Sequence, residues 1–115
     1  MAKEIPLSEI CTALHAEVHV PAGLSRSVGR VAVGDLLSFV MGGDSDGTLW
    51  VTIQTHLNVA AVAVLKEMPM ILIAAGRLPA PELVERCRKE EIALATVQGS
   101  IFDTCVALGK LGLVG

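Results

Sequence analysis

Gln54, Thr55, His56 and Asn58 fall within five residues and bring two amides, a hydroxyl and an imidazole to one point of the chain. They follow an apolar run of strand character and open a stretch with helical spacing. Free backbone N–H groups at such a helix start, together with those side chains, have the chemistry to hold an anion or a carboxylate. The same residues also suit ordinary capping, with Thr55 as the N-cap and His56 and Asn58 exposed in the first turn. Ala75-Gly76-Arg77 occupies the equivalent position after the next apolar run. Gly76 permits positive φ or close approach of another group, and Arg77 offers a guanidinium fork for a carboxylate or phosphate. A tight turn carrying an exposed arginine is the plainer use of these three residues. Gln98-Gly99-Ser100 ends the third run and starts a further helix. Neighbouring strand ends favour pockets, so the candidate ligand site is Gln54, Thr55, His56, Asn58, Gly76 and Arg77.

Catalysis has no visible residues. The chain contains no GxSxG, GxxxxGK[ST] or GxGxxG motif. His15, His19 and His56 are not in HExxH or any other ligand spacing. Asp35, Asp44 and Asp46 read as turn formers, because the latter two lack the glycine and bidentate glutamate of a calcium loop. Cys11, Cys87 and Cys105 are odd in number and widely spaced, with no CxxC or ferredoxin run. Each sits on the apolar stripe of an expected helix and reads as a small buried hydrophobe. No metal, cofactor or catalytic residue is therefore expected.

The elements that must position the candidate residues form a repeating strand-then-helix cadence from Thr48 onward. Strands are expected at Thr48 to Gln54, Met70 to Ala74 and Ala93 to Val97, with helices at His56 to Glu67, Pro81 to Glu90 and Ile101 to Leu111. Ser100 and Asp103 have the spacing of a capping box. Upstream, Leu7, Ile10, Cys11 and Leu14 predict a helix over Leu7 to His15 with Pro6 near its start. Glu17 to Val20 reads as a short strand and Val28 to Val33 as a second one. Leu36, Leu37 and Val40 make a short helix capped by Asp35, and Gly42 to Gly47 is a loop. The fold class is α/β: a single domain over residues 1–115 with a mostly parallel sheet flanked by helices, built from consecutive β-α units. The N-terminal third is left to add antiparallel or edge strands.

With 115 residues, one compact core is the natural limit. Hydrophobic residues make up 52% and mean hydropathy is +0.61, while aromatic residues are only 3%. That aliphatic excess must be hidden in a sheet buried on both faces or against a second subunit, so a homodimer is expected. Val59 to Ala75 is interrupted by Lys66, Glu67 and Pro69, and neither piece crosses a bilayer core of roughly 30 Å. The segment from Met1 to Pro6 has no apolar h-region, and the expected location is the cytoplasm. A net charge of −3 and scattered basic residues argue against nucleic acid as a partner. The small group Arg86, Arg88 and Lys89 reads as a solvated helix face.

Ile73-Ala74-Ala75-Gly76-Arg77-Leu78-Pro79, then Glu82-Leu83-Val84 and Ile92-Ala93-Leu94-Ala95-Thr96, resembles the strand, glycine turn, x-Pro, helix and strand of DRTGG domains. Val33-Gly34-Asp35-Leu36-Leu37-Ser38 and Leu49 to His56 extend the resemblance over nearly the whole chain. It is closest to the small stand-alone, hydrogenase-associated members of that family. More distantly it is similar to the N-terminal domain of HPr kinase/phosphorylase, and such domains also accompany phosphotransacetylases and CBS domains. The family's Thr-Gly-Gly turn falls on Ala74-Ala75-Gly76, where only the last glycine is kept. The resemblance implies a regulatory or protein-interaction module rather than an enzyme, since the kinase activity belongs to a separate P-loop domain. Two roles stand open: sensing a small anionic metabolite or nucleotide, or docking on a redox partner as an accessory protein of iron-only hydrogenase or iron–sulfur metabolism.

Overall fold

The structure is a computed structural model that describes residues 4–35 and 37–115. Its elements run β1 (Ile5–Pro6), α1 (Leu7–Ala13), β2 (Glu17–Val20), β3 (Ser27–Val28), β4 (Val31–Val33) and α2 (Leu37–Gly42). The second half continues with β5 (Leu49–Thr52), α3 (Asn58–Leu65), β6 (Met70–Ile73), α4 (Pro81–Glu90), β7 (Ala93–Thr96) and α5 (Ile101–Lys110). The main sheet has the order β2-β7-β6-β5-β4, parallel except for β2, which lies antiparallel on β7. Every residue of β5, β6 and β7 is buried. A strand covered on both faces needs apolar side chains on both, which is why these three read as unbroken apolar runs.

Two helical layers cover the sheet. α2, α3 and α4 pack with Trp50, Ile71, Ile73 and Leu94 on one face, while α1 and α5 pack with Leu49, Val51, Leu72 and Ala95 on the other. The crossovers β4-α2-β5, β5-α3-β6 and β6-α4-β7 thus all use one layer, and after β7 the chain returns to the layer of α1. The strands are in step, with Thr52 beside Ile73 and Ile73 beside Thr96, so their carboxyl ends form one row.

Local chemistry sets the helix limits. Pro81 stands in the first turn of α4, where its missing N–H is harmless. Ser100 Oγ accepts a 3.0 Å hydrogen bond from Asp103 N at the start of α5, as the capping spacing predicts. α1, α3 and α4 stop at left-handed residues other than glycine: His15 (φ 53°), Glu67 (φ 52°) and Glu91 (φ 58°). Each closes with a Schellman bond of 2.9 Å, from Ala16 N to Cys11 O, Met68 N to Ala63 O and Ile92 N to Cys87 O.

The regular βα units follow the sequence expectation, and the differences lie upstream and at element ends. The single strand expected over Val28 to Val33 is two strands: β3 pairs with β1 in a separate two-stranded ladder, and β4 joins the main sheet. The first helix ends at Ala13 rather than His15, because His15 turns left-handed. The helix expected from His56 starts at Asn58, and its N-cap is Leu57 with no side-chain cap, so Thr55 does not cap it. Leu36, expected on the apolar stripe of α2, and Met1 to Lys3 lie outside the described residues.

Candidate functional site

Just past the carboxyl end of β4, Asp35 acts as a clamp on the end of β5. Its Oδ1 accepts from Thr52 Oγ1 at 2.9 Å and from Ile53 N at 2.8 Å, and Thr52 Oγ1 in turn accepts from Gln54 N at 3.1 Å. Gln54 Nε2 donates to Asp35 O at 3.1 Å, which ties one end of its amide to the protein and leaves the carbonyl end. Asp35, read from the sequence as a turn former and cap, thus fixes the end of β5. Thr55 is buried, whereas His56 and Asn58 are exposed.

The loop after β6 makes a turn of type I′, with Ala75 at φ 63°, Gly76 at φ 66° and Arg77 N donating to Ala74 O at 3.4 Å. Glycine suits such a position without steric cost, while Ala75 carries a Cβ there. Ala80 N donates to Thr55 O at 2.9 Å, so the loop bearing Gly76 and Arg77 is tied to the loop bearing Gln54 to Asn58. The two candidate groups are neighbours along the row, and Arg77 is exposed beside them.

Both of those loops turn into the same helical layer. The loops after β6 and β7 diverge, one to α4 and the other to α5 across the sheet. In an open α/β sheet this divergence is where a crevice forms. Here the crevice is bridged at its base by Ala75 N to Gly99 O (2.7 Å) and Gly76 N to Val97 O (2.9 Å). Beside it, a cavity of about 340 Å³ is lined by His15, Val97, Gln98, Gly99, Asp103 and Thr104 among others. Gln98 links the two regions: a Cβ added to Gly76 would stand 2.8 Å from Gln98 Oε1. The sequence marked Gln98-Gly99-Ser100 only as a third helix start and missed His15, whose left-handed backbone no residue-type signal announces.

Elsewhere, the arrangement nearest to an activated nucleophile is His19 with Thr96. His19 Nε2 lies 3.1 Å from Thr96 Oγ1 and 3.2 Å from Glu17 Oε1. A relay needs the carboxylate on the second ring nitrogen, and Thr96 is 3% exposed, so this contact reads as a satisfied polar pair at a sheet edge. Burial pushes all three thiols up, Cys87 to about 11, which makes them poor nucleophiles. The sheet lies between Cys87 on α4 and the pair Cys11 and Cys105 on the other layer. No group of three or more His, Cys, Asp or Glu side chains fit to hold a metal occurs among the described residues. No helix among them is long and apolar enough to cross a membrane.

No protein-family model matches the chain, and no curated protein matches it. Among solved structures, it is similar to the crystal structure of the CBS and DRTGG domains of the regulatory region of Clostridium perfringens pyrophosphatase, complexed with the activator diadenosine tetraphosphate. The TM-score is 0.75 at 18% sequence identity, over 89% of this chain and 45% of the other. The chain therefore spans less than half the length of that neighbour, which is a pyrophosphatase region and brings no hydrogenase association with it. The likeness supports a DRTGG-like α/β fold for this chain.

Proposed function

We propose that this chain is a regulatory or protein-interaction module without catalysis of its own. It senses a small anionic metabolite or nucleotide at the carboxyl ends of its parallel strands and works in the cytoplasm as a homodimer. The observation that carries this reading is the Thr55–Ala80 tie, which holds Gln54 to Asn58 beside Gly76 and Arg77 at the carboxyl ends of β5 and β6. An anion there meets the guanidinium of Arg77, with Gln54 Oε1, His56 and Asn58 able to orient a polar ligand, while Val59 N and Ala60 N already donate to His56 O and Leu57 O. The fold shared with a regulatory region complexed with a nucleotide activator supports the same reading.

The test is a thermal-shift series with ATP, diadenosine tetraphosphate and inorganic pyrophosphate, run beside affinity capture from the native cells. The reading expects a saturable shift with at least one of these anions. No shift with any of them, together with stoichiometric capture of an iron–sulfur redox partner, would replace it with the accessory-protein role in hydrogenase or iron–sulfur metabolism.

A further inference from the structure

α3 has no polar side chain from Val59 to Leu65. Val59, Ala60, Val62 and Ala63 face the core, and the remainder is left outside. Leu57, in helical conformation just before α3, is 45% exposed, Val64 37% and Leu65 67%, with Ala61 exposed between them. The spacing i, i+4, i+7, i+8 makes one continuous stripe. Scattered apolar residues are normal on a surface, but a helix apolar on every side belongs inside a protein or an assembly.

The stripe borders charges of a definite order. Leu57 and, from α4, Glu82, Glu85, Arg86 and Lys89 line a groove of about 300 Å³. Along α4 the groove residues change from acidic in the first half to basic in the second. Arg86 pairs with Glu90 and Arg88 with Glu85, while among the described residues Glu82 and Lys89 have no ion-pair partner. α3 and α4 both follow parallel strands and run the same way. An antiparallel approach of an identical face sets acidic half against basic half, whereas a parallel approach sets like charge on like.

From this we propose that the α3–α4 face is a self-association surface whose occupant is a second copy of this chain, docked antiparallel about a two-fold axis near Ala61. Leu57 and Leu65, four residues to either side of Ala61, then meet across the axis, the small Ala61 allows close helix approach, and Glu82 of each copy faces Lys89 of the other. The proposal rests on the homodimer reading above and adds where and in which orientation the copies meet.

Light scattering across a concentration series is the test. The wild type is expected at twice 12.0 kDa. Ala61→Arg should raise the dimer dissociation constant at least about 30-fold, the scale of a central interface residue, while circular dichroism stays unchanged because the position is exposed. Glu82→Lys and Lys89→Glu should each weaken the dimer, and the double exchange should restore it. Phe102→Ser, on the opposite helical layer, should leave it intact. A dimer that resists Ala61→Arg but is lost with Phe102→Ser would overturn this surface and keep the homodimer reading. A double exchange weaker than either single variant would overturn the antiparallel arrangement. Mass near 12.0 kDa at every concentration would remove the homodimer reading and this surface together.

Discussion

The carboxyl ends of β5 and β6 and those of β6 and β7 stand in one row, yet the chain leaves them differently. From β5 and β6 both loops turn into the α2–α3–α4 layer, and side chains hold the first of them: Asp35 binds Thr52 and Ile53. From β6 and β7 the loops part to opposite layers, and backbone bonds from Ala75 and Gly76 to Gly99 and Val97 hold the base. The first region presents Arg77 and the polar residues around His56, and the second presents a cavity with Gln98 and His15. Polar residue types mark the first region in the sequence. The second arises from topology, which residue types do not record.

Breaking the side-chain clamp should have the largest effect on stability. Asp35→Ala leaves the buried Thr52 hydroxyl and Ile53 N–H without their acceptor and should cost about 2–3 kcal/mol in urea unfolding. Amide exchange should quicken at Ile53 and Gln54 ahead of Gly76. Equal acceleration at both ends would show that the two regions do not differ in how they are held.

At the other region, Gly76→Ala places a Cβ at φ 66° and close to Gln98 Oε1, and should cost about 1–2 kcal/mol. The amide of Gln98 is mobile enough to yield, so the cost is mainly conformational. Unchanged stability would mean that the turn after β6 is not fixed in its left-handed form.

The thiols compare the two layers. Cys87, in the α2–α3–α4 layer, is raised from the ordinary 9.0 to about 11 by burial, with Arg86 opposing weakly. Between those values the unfolded chain loses its thiol proton first. Stability is therefore full below pH 9 and falls as pH rises toward 11, by at most about 1.4 kcal/mol per pH unit for this group. Cys87→Ala should flatten that alkaline decline, and Cys105, half-buried in the other layer, should react first with a thiol reagent. A decline unchanged by Cys87→Ala would assign it to other groups.

The smallest effect is a gain. Ala75 has φ 63° in the same turn, so Ala75→Gly should add about 0.5–1 kcal/mol.

The central strands were legible because burial on both faces forces continuous apolar runs at Leu49–Thr52, Met70–Ile73 and Ala93–Thr96. The starts of α4 and α5 were legible through Pro81 and Ser100, whose chemistry is local. The end of α4 at Glu90 was legible too, but those of α1 and α3 were not, since His15 and Glu67 adopt a conformation that glycine usually signals. β1 and β3 were hidden for a different reason. Two residues each, paired across the N-terminal third, carry no periodicity to read. Of the candidate site, the residue groups are marked by type in the sequence and their adjacency follows from consecutive strands. The clamp by Asp35 and the cavity beside β7 depend on long-range placement and were not visible.

Titration calorimetry with ATP and diadenosine tetraphosphate on the wild type, Arg77→Ala and Gln98→Ala tests the strand-end site most directly. Arg77→Ala should weaken the bound anion by about 1.5–3 kcal/mol, the scale of a hydrogen bond to a charged group, with the melting temperature unchanged. Gln98→Ala should weaken it less, because the β5–β6 region carries the guanidinium. Full affinity in Arg77→Ala with binding lost in Gln98→Ala would move the site to the β6–β7 crevice, and no binding by the wild type to either nucleotide would contradict nucleotide sensing itself.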